Sequence, residues 1–377
     1  MSLRTIETVA DLRAYLHTAI QLEHATLPPY LVALYSLRPG TNAAAYQQIR
    51  IVAIEEMLHL TLAANVLNAV GGTPDLTQPD FVPQYPTYLP NGETDFRVDV
   101  RAFSRETLEN FLEIERPVPP AGHQHAAIAP GMRIFPALRA AVGIAAASAL
   151  AVGPAASAGM LPTVKGEDGS DLHFCTIGEF YAEIIRRMTA LEDEAKAKGR
   201  TIFEGDPKRQ IGPEYYYSGG GKLLRVIDLD TAQKALQLIA EQGEGYEGGI
   251  FDGGGELSHY YRFQQLKLSR SYIPGNEPNE PTGEQLVVDW DGVYPVTTNA
   301  RITDYPKGSE LYDAVMDFRK SYQDFLNMVS RALSGQPDLL LAAVGDMFRL
   351  KEKFYHLMHN PMPGQAGVNA APVFGPI

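Results

Sequence analysis

The chain has 377 residues, 45% apolar and 20% charged, with 32 basic against 45 acidic side chains for a formal charge of -13. Such a composition supports a buried core and excludes disorder as a description of the whole chain. The acidic balance, with no basic stripe, excludes nucleic acid as a partner, because phosphate binding needs clustered Lys and Arg.

A single cysteine, Cys175, excludes an internal disulfide framework and Cys-rich zinc or iron–sulfur sites. The N-terminus MSLRTIETVADLRAYL lacks the apolar region of a signal peptide, so a reducing cytoplasm is the expected compartment.

Residues 8–37 read as a helix, with Leu12, Leu16, Ala19, Glu23 and Leu27 recurring at intervals of three and four. Pro28-Pro29 interrupts that pattern, frees the carbonyls of His24 and Ala25, and predicts a kink. Residues 43–70 form a second expected helix, stopped by Gly71-Gly72 and Pro74. Its stripe runs Ile49, Val52, Ala53, Glu56, His59, Leu60, Ala63, Leu67. A Pro-rich loop (75–90) and a short strand (96–100) follow, then a helix over 104–115 with Ser104 as N-cap, stopped by Pro117.

Residues 118–172 are an Ala-rich insertion whose uncharged stretch is broken by Pro154, too short for a spanning helix of about 20 residues. A membrane role is therefore disfavoured, and a docking helix or mobile insertion is the expectation. Gly122-His123-Gln124-His125 at its edge reads as a surface His pair.

Patterning resumes with a third long helix over 176–196, extended segments around a glycine turn at 215–228, and a helix over 230–242. Seven glycines among residues 243–255 demand a loop; it lacks the phosphate-loop pattern. A short helix over 256–269, a Pro-rich linker (274–306), a helical hairpin (309–333 and 337–360, within a unit 307–360) and a tail (361–377) complete the chain.

Chemistry is concentrated where polar residues stand on apolar helix faces. Glu56 and His59 are spaced i, i+3 and share one face of an otherwise Ile, Val, Ala and Leu stripe. A buried carboxylate and imidazole cost several kcal/mol unless paired or bound to a cation, on the order of the usual desolvation penalties. Glu256 and His259 repeat the spacing, and Glu23 stands on the stripe of the first helix.

With one more carboxylate from the third long helix, this is the donor set of di-iron and di-manganese carboxylate bundles. Bridging carboxylates hold two divalent ions together, and one imidazole per ion leaves positions open for dioxygen or water. The fourth carboxylate is Glu179 or Glu183, although Thr176 and Glu179 also fit a capping box. Glu241 or Glu244 could replace Glu256, which as an acid at a helix N-terminus has an ordinary role too. Glu55 points off the stripe and is expected in solvent.

The segments LEHATLPPYLVALYSL around Glu23 and EEMLHLTLAANVLNAVGGTP around Glu56 and His59 resemble the ferritin-like domain of the iminophenyl-pyruvate dimer synthase type, found in violacein and other bisindole pathways. FLEIERP, TIGEFYAEI, EYYYSGGG, EQGEG, SHYYRF and VDWDGVYP extend the resemblance over nearly the whole chain except the insertion.

The resemblance implies one ferritin-like domain over 1–377: mainly α, a helical bundle with additional helices, a few short strands and long loops. It implies metal ligands at Glu23, Glu56, His59 and His259 and favours a site role for Glu179. The cofactors expected are two divalent transition-metal ions, iron first, with manganese or zinc fitting the same donors. The resembled synthases couple two imines derived from aromatic amino acids, a chemistry associated with haem iron. No Cys-x-x-Cys-His haem motif is present, and a lone axial His or Tyr has no sequence signature.

The expected function is a non-haem di-metal oxidoreductase, dependent on dioxygen or peroxide. Its expected partner is a small organic substrate, with amino-acid-derived molecules the class the resemblance suggests. Tyr30, Tyr181 and Tyr260 are candidates to border the substrate pocket, and a homo-oligomer is compatible with this reading. The alternatives are a metal-binding protein without turnover and a structural or interaction protein that has lost its metals.

Overall fold

A computed structural model describes residues 5–117, 164–165, 171–172, 174, 176–216, 220–246 and 249–375. The expectations for the Ala-rich insertion, for His123 and His125, and for Cys175 fall outside the described residues.

The first helix, α1, spans Val9–Ser36, and Thr8 and Asp11 close its N-terminus as a reciprocal capping box. It runs through Pro28-Pro29 without a break. A residue far along the chain compensates: the Tyr85 hydroxyl donates to the Ala25 carbonyl at 2.7 Å, replacing the bond the Pro29 ring removes. α2 spans Ala43–Ala69. Gly71, at φ 75°, turns the chain away from its end, and Arg13 Nε donates to the Val70 carbonyl at 2.8 Å.

Both helices are buried on nearly every face, so each sits inside the molecule rather than on its surface. α2 is also the described helix long and apolar enough to cross a membrane, and most of that window is covered by protein.

α3 spans Arg105–Ile114, capped by Ser104 through the Thr107 amide at 3.1 Å. α4 (Ile177–Ala197) and α5 (Leu229–Glu244) are strongly amphipathic and pair as a hairpin. α1 pairs with α2, α2 with α5, and α1 with α4, so these four helices close a bundle. The short α6, His259–Lys267, lies against α2, α3 and α5. α7 (Glu310–Leu333) and α8 (Leu339–Met358) form a second hairpin whose Phe354 ring packs 4.9 Å from Tyr35 of α1.

Among the described residues strand content is minimal. Val164–Lys165 pairs antiparallel with Asp171–Leu172, and the strand expected over 96–100 reduces to one bridge, Thr87 to Val98. At 215–228 the described residues form a short 3-10 turn, Pro213–Tyr215, and irregular chain rather than extended strands. The linker is tied to the bundle, with the Tyr294 amide on the Ser36 carbonyl at 2.7 Å and the Val100 amide on Asn299 Oδ1 at 2.8 Å. The tail is tied down as well: Ala370 and Ala371 are buried, and Tyr305 donates to the Ala371 carbonyl.

Candidate metal centre

Three positions on α1, Glu23, Thr26 and Tyr30, share one face of the helix by their spacing of three and four. All three reach the same buried cluster. Glu23 Oε2 lies 3.4 Å from His59 Nδ1, Thr26 donates to Glu56 Oε2 at 2.8 Å, and the Tyr30 hydroxyl donates to Glu115 Oε1. From α2, Glu56 and His59 project together, with Glu56 Oε1 3.9 Å from His59 Nδ1. α4 contributes Tyr181, which donates to Glu23 Oε1.

His259, the first residue of α6, places Nδ1 3.0 Å from Glu56 Oε1 and 3.5 Å from Glu115 Oε2. The two imidazole rings lie nearly parallel with centroids 5.2 Å apart. Glu23, Glu56, His59, Glu115 and His259 are each no more than 3% exposed, so their charges meet little water.

Each ring is held from behind. His59 Nε2 lies 3.0 Å from Gln242 Oε1 of α5, and His259 Nε2 lies 3.0 Å from Glu55 Oε2. An oxygen acceptor at Nε2 places the proton there and leaves the Nδ1 lone pair directed at the carboxylates. That is how ligating histidines are oriented in metal sites.

His259 Nδ1 is a buried polar atom without a well-aligned hydrogen-bond partner, although two carboxylate oxygens surround it. A divalent cation satisfies such an atom and its neighbouring carboxylates together. Donor atoms of Glu56, His59 and His259 lie within 4.8 Å of one another, close enough to share an ion. Carboxylates and imidazoles fit iron, manganese or zinc.

The electrostatics of the metal-free cluster follow from burial and crowding. Burial, with Glu115 and Glu23 nearby, raises Glu56 to about 8. Burial alone would lower His259, but Glu115, Glu55 and Glu56 pull it well above the ordinary imidazole range. His59 is likewise raised against burial, by its contact with Glu23. Burial tends to raise Glu55, and its bond to His259 outweighs that and lowers it. Without metal, the cluster therefore holds protons where cations would otherwise sit.

Of the residues singled out in the sequence, Glu23, Glu56, His59 and His259 converge here. Glu256 does not: its carboxylate is half exposed and pairs with Arg262 at 3.1 Å. The helix begins at His259, with Ser258 as its N-cap, and Leu257 is bridged to Phe251. Glu256 and His259 are thus separated by a helix boundary, and the i, i+3 rule does not place them on one face.

Glu179 stands half-buried in the first turn of α4, where its amide donates to Thr176 Oγ1 at 3.1 Å, and it lies outside the group formed by Glu56, His59 and His259. Glu183 pairs with Arg186 and Arg187. Glu244 accepts from the Gly178 amide at 2.6 Å, an anion at the N-terminus of α4. Tyr260 packs in a separate aromatic group with Tyr261 and Tyr272.

Two carboxylates take places the sequence pattern did not assign. Glu115, the C-cap of α3, faces His259 Nδ1. Glu55, expected in solvent, is 1% exposed and backs His259. Gly220 lies against it, and a Cβ there would come within 2.3 Å of Glu55 Oε1.

Fold and site together define a helical bundle with a buried carboxylate–imidazole centre on its inner faces. A family model described as Ferritin-like matches residues 16–268, and the chain belongs to that family. It is 23% identical to the dichlorochromopyrrolate synthase of Lentzea aerocolonigenes over 419 aligned positions, which take in 98% of this chain. The match covers 36% of the length of that relative. A crystal structure of a ferritin-like protein from Caulobacter vibrioides superposes with a TM-score of 0.59 at 20% identity, covering 98% of this chain and 99% of that one. It shares the fold.

Proposed function

We propose that this protein is a metal-dependent oxidoreductase, most simply a di-iron one, that acts on a small organic molecule. The observation that carries the reading is the pair of buried imidazoles, each fixed at Nε2 and turned by Nδ1 toward Glu23, Glu56 and Glu115. Those five side chains would hold the metals. Bound transition-metal ions would supply Lewis acidity and one-electron chemistry with dioxygen or peroxide.

The chain's own part is positioning and exclusion of water. Tyr181 and Tyr30 orient the carboxylates of Glu23 and Glu115, and Thr26 orients that of Glu56. The apolar packing of α1 and α2 keeps bulk water away, which strengthens each electrostatic contact inside. The relative named dichlorochromopyrrolate synthase supports a small-molecule substrate, and an amino-acid-derived one is the class we favour. A reducing cytoplasm remains the compartment we propose.

Metal analysis of protein purified without chelators tests the reading. Roughly one to two equivalents of iron or manganese, lost together in a His59→Ala, His259→Ala variant, are expected for a carboxylate–imidazole pair site. Less than about a tenth of an equivalent of any transition metal in folded protein would sink it, because such a buried donor set binds tightly. Dioxygen uptake with aromatic amino acids and their oxo-acids then separates turnover from metal binding alone.

A further inference from the structure

Apart from the carboxylate–imidazole cluster, the chain folds around a cavity of about 500 Å³, within the size range of small-molecule sites. Its walls come from the loop that follows α2, from the linker near residues 299–303, from the tail at 372–375, and from Arg319 of α7. No residue of the metal cluster lines it.

The walls are preformed. Tyr85 is anchored by its hydroxyl to the Ala25 carbonyl, and Phe374 packs edge-on against Phe318 and Tyr322 at 5.4 and 5.1 Å. Prolines 79, 83 and 372 restrict the backbone around it.

The charge of the lining is the reverse of the molecule's. The chain has 45 acidic and 32 basic residues, yet Arg301 and Arg319 line this cavity and no Asp, Glu or Lys among the described residues does. Arg319 is half-buried, and its Nη1 contacts the Met316 sulfur at 3.7 Å. Burial shifts this guanidinium below its ordinary range, against an opposing pull from Tyr312. A guanidinium on a cavity wall recognises a planar carboxylate through paired N–H donors, and the flat Tyr85 and Phe374 rings line the same cavity.

We propose that this cavity is a binding site for a small organic anion, a carboxylate carried on a flat apolar body. None of Glu23, Glu56, His59, Glu115 and His259 lines this cavity, so the proposal is independent of the metal reading.

The probe is 2-naphthoate, titrated by calorimetry and saturation-transfer NMR into the full chain, both as purified and after dialysis against EDTA. Saturable binding with Kd below about 1 mM is expected in both preparations, with 2-naphthylmethylamine at least about tenfold weaker because its charge opposes the arginines. Arg319→Gln and Arg301→Gln should each weaken naphthoate by about tenfold, the size of one charge-assisted contact, and leave the neutral 2-naphthamide unchanged. Arg301 is exposed, so its variant keeps the test valid if the Arg319 variant fails to fold.

Equal binding of acid, amide and amine would overturn the proposal, as would unaltered naphthoate affinity in the folded arginine variants. Binding that disappears with EDTA would place the anion on the metal and overturn it too. As-purified protein that carries no transition metal but still binds naphthoate would refute the metal reading alone.

Discussion

Replacing Glu56 by Gln should stabilise the metal-free protein and shrink the further stabilisation that metal brings. Glu56 rises from the ordinary 4.5 to about 8 in the folded chain, because of burial and the nearby Glu115 and Glu23. Near pH 7 the unfolded chain gains from releasing this proton and the folded one does not, which favours unfolding by up to about 3 kcal/mol.

The sign follows from a raised folded value. Stability is fully present below pH 4.5 and is lost progressively as pH rises toward 8. The amide is a neutral isostere that removes this titration and still accepts from Thr26. Chelator-treated Glu56→Gln should therefore exceed wild type by up to about 3 kcal/mol near pH 7, or roughly 4 °C for a chain this long. The two proteins should coincide below about pH 4.

Urea unfolding across that range, with and without Mn(II), is the assay. Metal at about 100 times Kd stabilises wild type by ~2.7 kcal/mol, and the variant should gain much less. A chelated variant less stable than wild type near pH 7, or a difference independent of pH, would refute the reasoning.

Glu115→Gln should lower metal content measured by mass spectrometry, whereas Glu256→Gln should leave it unchanged, because only the former carboxylate faces His259. Gln242→Leu removes the oxygen behind His59 and should weaken metal affinity by about 10–100-fold in competition with a chromophoric chelator. Tyr85→Phe leaves the Ala25 carbonyl without this hydroxyl and should cost about 1–3 kcal/mol in urea unfolding. An unchanged midpoint would show that another donor replaces it.

Glu23, Glu56 and His59 were legible because each lies inside a long, regular helix, where spacing translates directly into a shared face. Outside such helices spacing does not translate into a shared face. His259 opens its helix, so the residues before it, Glu256 included, follow the geometry of a glycine-rich loop. Glu115 lies at the end of the ten-residue α3 and enters the site through the angle at which that helix meets α6, which no local pattern encodes. The FLEIERP block carried a hint in its resemblance to other sequences, though spacing alone did not.

Glu55 escapes the stripe argument for another reason. The stripe argument assumes one face in water, and α2 is enclosed on nearly every side, so leaving the stripe does not mean reaching solvent. Pro28-Pro29 likewise suggested an interruption that a distant hydroxyl, from Tyr85, makes unnecessary.

The backing residues explain how so many polar groups can be buried in one place. Three carboxylates and two imidazoles without partners would be prohibitive in this apolar interior. Tyr181, Tyr30, Thr26, Gln242 and Glu55 each satisfy one side of a central residue and leave its inner atoms turned toward one another. In metal-free protein those inner atoms share protons, as the raised values of Glu56, His59 and His259 indicate.

Divalent ions would replace those protons, so metal uptake should release them and become more favourable as pH rises. Calorimetric titration of Mn(II) in buffers of different ionisation enthalpy measures that release. Uptake near pH 7 without net proton release would mean that the cluster binds metal as preformed carboxylates and neutral imidazoles, contrary to the charge balance inferred from its burial.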